Sequence, residues 1–232
     1  MRVSIIIPAV NEEAIIGETL AAVSRLRPFE IIVADGGSID RTVTIASDYG
    51  RIVQAGQGRG LQQRVAAKTA SGDVLWFLHA DSIPVFGAIE AITDCLDNKR
   101  LAGGNFSICF DGDGQSARRL TAIYPWLRVL GLCYGDSGIF VRKSTYDSMG
   151  GFKPYPLFED VDLVRRLRKV GEFRTLPHKV MTSSRRFEHR HFGVMFAEWT
   201  VLQMLYWAGV SPYVLARWYK AAGKRESRSI SG

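Results

Sequence analysis

Along the first hundred residues, short β-branched apolar runs alternate with longer stretches in which apolar residues recur at helical spacing. Val3 to Ile7 reads as a buried strand. Asn11 then stands where a helix N-cap is expected, with Glu12 and Glu13 favoured in the first turn by the helix dipole and the helix running to about Leu26. Glu30 to Ala34 is the second strand, and Asp40 can cap a helix that ends near Gly50. Arg51 to Gln54 reads as a short third strand, Gly60 to Ala70 as a third helix and Val74 to Leu78 as a fourth strand. Strands alternating with helices in this way predict βαβ units, hence an α/β fold with a parallel sheet.

After a helix over about Phe86 to Asn98 the pattern changes. Strands are expected around Ala102 to Phe110 and Ser137 to Arg142, separated by an apolar, Arg-bearing helix near Ser116 to Leu130, and a further helix covers Asp160 to Val170. The change reads as a nucleotide-binding half, 1–100, followed by a substrate-binding half, 101–190, within one domain. A helical extension over 191–232 follows. From Phe192 to Tyr219 the chain is rich in aromatics and Leu. The 19 residues from Phe192 to Val210 would just span a bilayer. Glu198, several aromatic rings and the nearby Pro212 favour a buried or interfacial helix instead.

With 232 residues, 47% hydrophobic and 23% charged, the chain is long enough for a multi-stranded core without disulfides or structural metal. Collagen, coiled coil and small stapled scaffolds are excluded. Cys95, Cys109 and Cys133 are spaced like neither a disulfide framework nor a zinc site, and they sit in apolar stretches. They are expected to be reduced core residues, which points to the cytoplasm. The N-terminal apolar run is too short for a signal peptide, so the protein is expected to stay where it is made. The net charge of +7 is uneven: residues 1–162 hold 16 Lys+Arg against 19 Asp+Glu, and residues 163–232 hold 14 against 4. A basic C-terminal third fits a phosphorylated substrate, an anionic membrane surface or nucleic acid, and it fits equally a solvated basic face.

In parallel α/β sheets ligands bind beyond the carboxyl ends of the strands. The residues there are Pro8-Ala9-Val10-Asn11-Glu12, Ala34-Asp35-Gly36-Gly37-Ser38-Ile39-Asp40 and His79-Ala80-Asp81-Ser82. A single Asp after a strand is usually a helix cap, but three such turns along one edge point to a ligand site.

These segments resemble the family 2 glycosyltransferases, whose first strand ends in Pro-any-any-Asn-Glu and whose second ends in Asp-Asp-Gly-Ser-any-Asp. The resemblance continues through Ala70-Ser71-Gly72-Asp73, through His79-Ala80-Asp81 in place of the Asp-any-Asp metal motif, and through Phe158-Glu159-Asp160-Val161-Asp162-Leu163 in place of the base motif. Gly58-Arg59-Gly60, the segment Tyr134 to Arg142 and Ser183-Ser184-Arg185-Arg186-Phe187 are similar to the short bacterial branch labelled radical-SAM/selenodomain-associated transferases. The resemblance implies a GT-A fold, a mixed Rossmann-like sheet flanked by helices with C-terminal amphipathic helices. It also implies a nucleotide-sugar donor, a divalent metal (Mn²⁺ or Mg²⁺) and inversion at the anomeric carbon. Donor-side residues would be Pro8, Asn11, Glu12, Asp35, Gly36, Arg59, Arg64, His79 and Asp81.

Within that resemblance, Asp81 is the protein carboxylate expected to hold the metal, which acts as a Lewis acid on the departing diphosphate. The alternative for Asp81 is a cap on the helix after Pro84. His79 replaces the family's usual first Asp; it would ligate metal, donate to phosphate or serve structurally. Asp35 would meet the nucleobase edge, favouring a uridine donor, while a plain turn accounts for Gly36 and Gly37 as well. Arg59 and Arg64 would bring positive charge to the diphosphate. Asp160 is the expected general base, flanked by Glu159. Asp136 would orient the sugar or acceptor, or close a structural turn. Arg185 and Arg186 would line the acceptor side, and His189 or His191 would complete the metal shell. The acceptor is a hydroxyl, with lipid or lipid-linked molecules among the candidates and nucleic acid not expected. The C-terminal helices, with Phe192, Phe196, Trp199, Trp207 and Trp218, would dock on the inner membrane face, pack on the catalytic domain or join a second subunit.

Two other readings compete. A sugar-phosphate nucleotidyltransferase uses similar sheets and acidic metal sites, but its glycine-rich loop follows the first strand, whereas Gly56-Gln57-Gly58-Arg59-Gly60 follows the third. A non-catalytic nucleotide-binding module would treat His79 as the mark of a decayed metal site.

Overall fold

The computed structural model describes residues 1–111, 121–122, 135–183 and 192–219. The helix expected near Ser116 to Leu130 falls almost wholly outside them, as do Cys133, Arg185, Arg186, His189 and His191.

The described residues form one eight-stranded mixed sheet in the order β3-β2-β1-β4-β7-β6-β8-β5. Its first half is the expected parallel unit: β1 (Val3–Ala9), β2 (Glu30–Asp35), β3 (Arg51–Gln54) and β4 (Val74–Phe77). Helices α1 (Ile16–Arg25), α2 (Thr42–Ser47) and α3 (Arg59–Thr69) make the crossovers. Beyond it lie β5 (Ser82–Pro84), α4 (Ala88–Asp97) and β6 (Leu101–Phe110). A 3₁₀ turn over Gly135–Ser137 leads into β7 (Phe140–Arg142), α5 (Lys143–Ser148), α6 (Glu159–Val170) and β8 (Glu172–Thr182). The C-terminal part contributes α7 (Phe192–Trp207) and α8, a helix over 212–219.

The apolar run of β1 is continuous because helices cover both faces of the sheet. Ile5 and Ile7 point into a core shared with α1 and α4, through Ile16, Leu20, Ile92 and Leu96. Ile6 points the other way, into a core with Ala66, Leu163 and Leu167 of α3 and α6. Sheet pairing runs without interruption across residue 100, since β6, β7 and β8 extend the sheet begun by β1 to β4. Cys95 is buried, Cys109 is half-buried, and neither forms a disulfide.

One expectation is corrected. Asn11 is not the N-cap of α1, which begins five residues later at Ile16. Asn11 instead adopts a left-handed conformation (φ 54°), which Asn tolerates better than most residues. Its side-chain oxygen accepts from the Ile39 N–H at 2.9 Å and its own N–H donates to Ser38 Oγ at 3.0 Å. The turn after β1 is thereby tied to the turn after β2. Asp40 does serve the start of α2, accepting from the Thr42 N–H at 2.9 Å. Among the described residues no helix is long and apolar enough to cross a membrane.

Candidate functional site

The parallel register brings Ala9, Asp35 and Gln54 level with one another at the carboxyl ends of β1, β2 and β3. β4 ends three residues earlier, Phe77 lying beside Ile6, so the His79-Ala80-Asp81 segment that continues it emerges at the same edge. The antiparallel direction of β7 matters here. Trp76 faces Phe140 and the Phe77 N–H donates to the Ile139 carbonyl, so the start of β7, with Asp136 just ahead of it, also lies at this edge.

Each turn is held by a polar side chain from elsewhere. Gln62 of α3, almost fully buried, donates through one amide nitrogen to the carbonyls of Ala9 (3.0 Å) and Ala34 (2.8 Å). Gly36 sits directly against this bridge, and a Cβ there would come within 2.5 Å of Val10 Cγ2 and 3.0 Å of Gln62. Thr19 Oγ1 of α1 donates to the Ala80 carbonyl at 2.7 Å and fixes the His79–Asp81 turn. At the β7 end, Thr175 donates to Asn105 and Asn105 to Ser137 Oγ (2.7 and 2.9 Å), anchoring the turn that carries Asp136.

Asp35 is buried, and its carboxylate accepts from the backbone N–H groups of Gly37 (3.0 Å) and Ser38 (3.1 Å). Its carboxylate therefore shapes the loop at the β2 edge, as a turn-forming Asp does. Asp81 is half-buried and does not cap the following helix: β5 intervenes, and α4 starts at Ala88 with Gly87 as its cap. Pro8 is buried beside Ala34, and the Glu12 N–H donates to Thr42 Oγ1 at 2.7 Å. Arg64, half-buried on α3, lies close enough to the buried Tyr146 to act on it electrostatically.

Glu159 and Asp160 open α6, both buried. Arg59, at the start of α3, approaches Glu159 with its Nη1 at 3.7 Å from Oε1. Glycine at position 60 permits this approach, since a Cβ would meet the Lys153 carbonyl at 2.6 Å and Glu159 Cβ at 3.0 Å. Burial, aided by the neighbouring Asp160 charge, pushes the Glu159 carboxyl up to about 7, with Arg59 pulling the other way. The Val161 N–H donates to Asp160 Oδ1 at 2.7 Å. Asp162 has a different duty: it binds Lys153 (3.2 Å) and Arg166 (2.7 Å), and Arg166 also donates to the carbonyls of Met149 and Gly151. This latch fixes the loop that leads into α6.

The residue preceding the pair, Phe158, is buried and left-handed (φ 63°), an uncommon state for a bulky residue. Its ring stacks on Tyr206 (4.9 Å) and meets Trp199 edge-on (6.2 Å), so α7 holds it in place. A shallow basic depression between Arg100, Arg168 and Phe173 opens at the amino ends of β6 and β8, the opposite edge of the sheet. Among the described residues no three His, Cys, Asp or Glu side chains form a metal cage.

The eight-stranded mixed sheet flanked by helices is a GT-A type fold. Residues 4–153 match the family described as Glycosyl transferase family 2, and the chain belongs to that family. It is 26% identical over 205 residues to a probable glycosyltransferase, YdaM, of Bacillus subtilis, covering 73% of this chain and 47% of that protein. It is 27% identical over 208 residues to the beta-monoglucosyldiacylglycerol synthase of Synechocystis, covering 73% and 42%. The chain thus spans less than half the length of these curated relatives. Among solved structures, the glucosyl-3-phosphoglycerate synthase of Mycobacterium tuberculosis with Mn²⁺, uridine diphosphate and glucosyl-3-phosphoglycerate superposes with TM-score 0.60 at 22% identity, covering 77% of this chain and 70% of that one. S. aureus TarS 1-349 with UDP-GlcNAc gives TM-score 0.64 at 18% identity, covering 83% and 61%.

Proposed function

We propose that this protein is an inverting, divalent-metal-dependent glycosyltransferase that moves one sugar from a uridine diphosphate sugar to a hydroxyl acceptor. The observation that carries the reading is the Arg59–Glu159 approach at 3.7 Å, which joins the start of α3 at the nucleotide-side edge to the acidic pair at the start of α6. Two structural relatives were solved with uridine nucleotides, one of them with Mn²⁺, and a curated relative is named a beta-monoglucosyldiacylglycerol synthase. The likeness to the short bacterial branch rests on the segments around Arg59, Asp136 and Arg185.

Among the described residues a divalent cation would find a single protein carboxylate and not a protein cage. Asp81 offers one carboxylate, half-buried in a turn fixed by Thr19, and His79 stands two residues before it. Asp81 would hold the cation, which would supply positive charge to offset that of the leaving diphosphate. Asp160 takes the proton from the acceptor hydroxyl as the acceptor oxygen bonds to the anomeric carbon and the bond to the diphosphate oxygen breaks. Glu159 positions Arg59, whose guanidinium faces the departing phosphate charge. Asp35 shapes the base-side loop, and Asp136 meets the transferred sugar.

The test is Asp160→Asn. Uridine diphosphate binding should be retained while transfer from the sugar donor falls by about two orders of magnitude or more, the scale of a lost general base. Near-normal turnover would remove Asp160 from this role. Release of pyrophosphate from a nucleoside triphosphate and a sugar 1-phosphate would instead favour a nucleotidyltransferase.

A further inference from the structure

Helix α7 is largely apolar, and among its described side chains only one side is buried. Leu202 is buried, and Trp199 and Tyr206 turn with it toward Phe158. On the opposite side Val194, Val201, Met204 and Trp207 are each more than half exposed, and Ala197 between them is exposed too. Spacings of seven, three and three residues put these side chains along one stripe, with Glu198 only at its border. In α8, Tyr213 and Trp218 are also more than half exposed, with the exposed Arg217 beside them. An exposed apolar stripe on one helix, with exposed aromatic rings and a cation on the next, has the composition of a surface that settles at headgroup depth.

Charge separates the candidate occupants. From Arg217 to the last residue the sequence holds five Lys+Arg against one Glu. A second copy of this chain would carry the same positive charge, whereas an anionic leaflet is complementary to it. We propose that α7 and α8 dock this protein on an anionic lipid bilayer through Val194, Val201, Met204, Trp207, Tyr213 and Trp218. The same helices grip the loop ahead of the acidic pair: Phe158 packs on Tyr206 and Trp199, and the Tyr213 hydroxyl donates to the Pro154 carbonyl at 3.3 Å. The helices that carry the exposed stripe and the loop that leads to Asp160 therefore belong to one packed unit. Resting on the sugar-transfer reading above, this arrangement names the acceptor class as a lipid hydroxyl presented at the leaflet surface.

The protein would be co-sedimented with phosphatidylglycerol-containing vesicles and with pure phosphatidylcholine vesicles, at low and high salt. Binding to the anionic vesicles at low salt, at least ten-fold weaker to neutral vesicles and weakened by salt, is expected. Val201→Glu with Met204→Glu, on the exposed stripe, should lower anionic-vesicle binding at least ten-fold while leaving circular dichroism and uridine diphosphate binding unchanged. In the unaltered protein, brominated acyl chains should quench tryptophan emission, a readout that needs no variant. Absence of anionic-vesicle binding, or a solution dimer that the same double variant dissociates, would overturn the docking. Donor binding and donor hydrolysis, measured without vesicles, report on the transfer reading separately. Intact hydrolysis with no vesicle binding would reject only the docking, and vesicle binding without donor binding would reject only the transfer.

Discussion

At the scale of single residues, the acidic pair at the start of α6 shows how burial sets chemistry. Asp160 and Glu159 are neighbours in sequence and both are buried; burial first, and the adjacent Asp160 charge second, push the Glu159 carboxyl up to about 7. Its ordinary value is 4.5, so between about pH 4.5 and 7 the folded protein binds more protons at this site than the unfolded chain. Stability from this group is complete below pH 4.5 and declines as the pH rises through 7. Glu159→Gln keeps the shape but cannot ionise. The variant should therefore gain stability relative to the parent as pH rises from about 5 to about 8. Unfolding midpoints measured across that range decide it, and a pH-independent difference between the two proteins would refute the assigned burial effect.

At the scale of elements, the left-handed Phe158 that caps α6 makes an unusual demand. An L-residue in this conformation carries a backbone cost of roughly 1–2 kcal/mol, here offset by stacking on Tyr206 and burial with Leu202 and Leu215. Phe158→Ala should cost about 3–5 kcal/mol, since it loses the ring and keeps the strained backbone. Phe158→Gly should be the milder change by about 1 kcal/mol, reversing the usual order at a helix, because glycine enters this region freely. Urea unfolding of the pair checks the order. β1, β2 and β4 were legible because each is an apolar run buried on both faces, and the turns after them carried Asp35 and Asp81 in plain view. β8 was not legible. Its exposed polar residues break the alternation, and Pro177 falls within a register shift, Phe106 pairing with Leu176 but Ser107 with Lys179. Asn11 misled because the residue type that favours an N-cap also tolerates the left-handed turn it occupies. Gln62, Thr19 and the Thr175–Asn105–Ser137 chain gave no local signal, since their partners lie between 28 and 70 residues away.

At the scale of the whole molecule, the candidate site draws on nearly every layer: α1 through Thr19, α3 through Arg59 and Gln62, β7 through the Asp136 turn, α6 through the acidic pair and α7 through the grip on Phe158. A ligand that bridges these elements binds the folded chain and not the unfolded one, so its affinity adds to global stability. At about a hundred times its dissociation constant the addition is about 2.7 kcal/mol. For a chain of 232 residues this corresponds to roughly 5–10 °C in the thermal midpoint. Uridine diphosphate with Mn²⁺ should give a shift of that size, and uridine diphosphate alone a much smaller one. Asp81→Ala should reduce the metal-dependent part to near zero while leaving the metal-free shift in place, because Asp81 is the single protein carboxylate assigned to the cation. The midpoint of the unliganded variant should move little, since Asp81 caps no helix. Equal shifts with and without Mn²⁺ in the parent protein, together with a silent Asp81→Ala, would instead favour a nucleotide-binding module that performs no transfer.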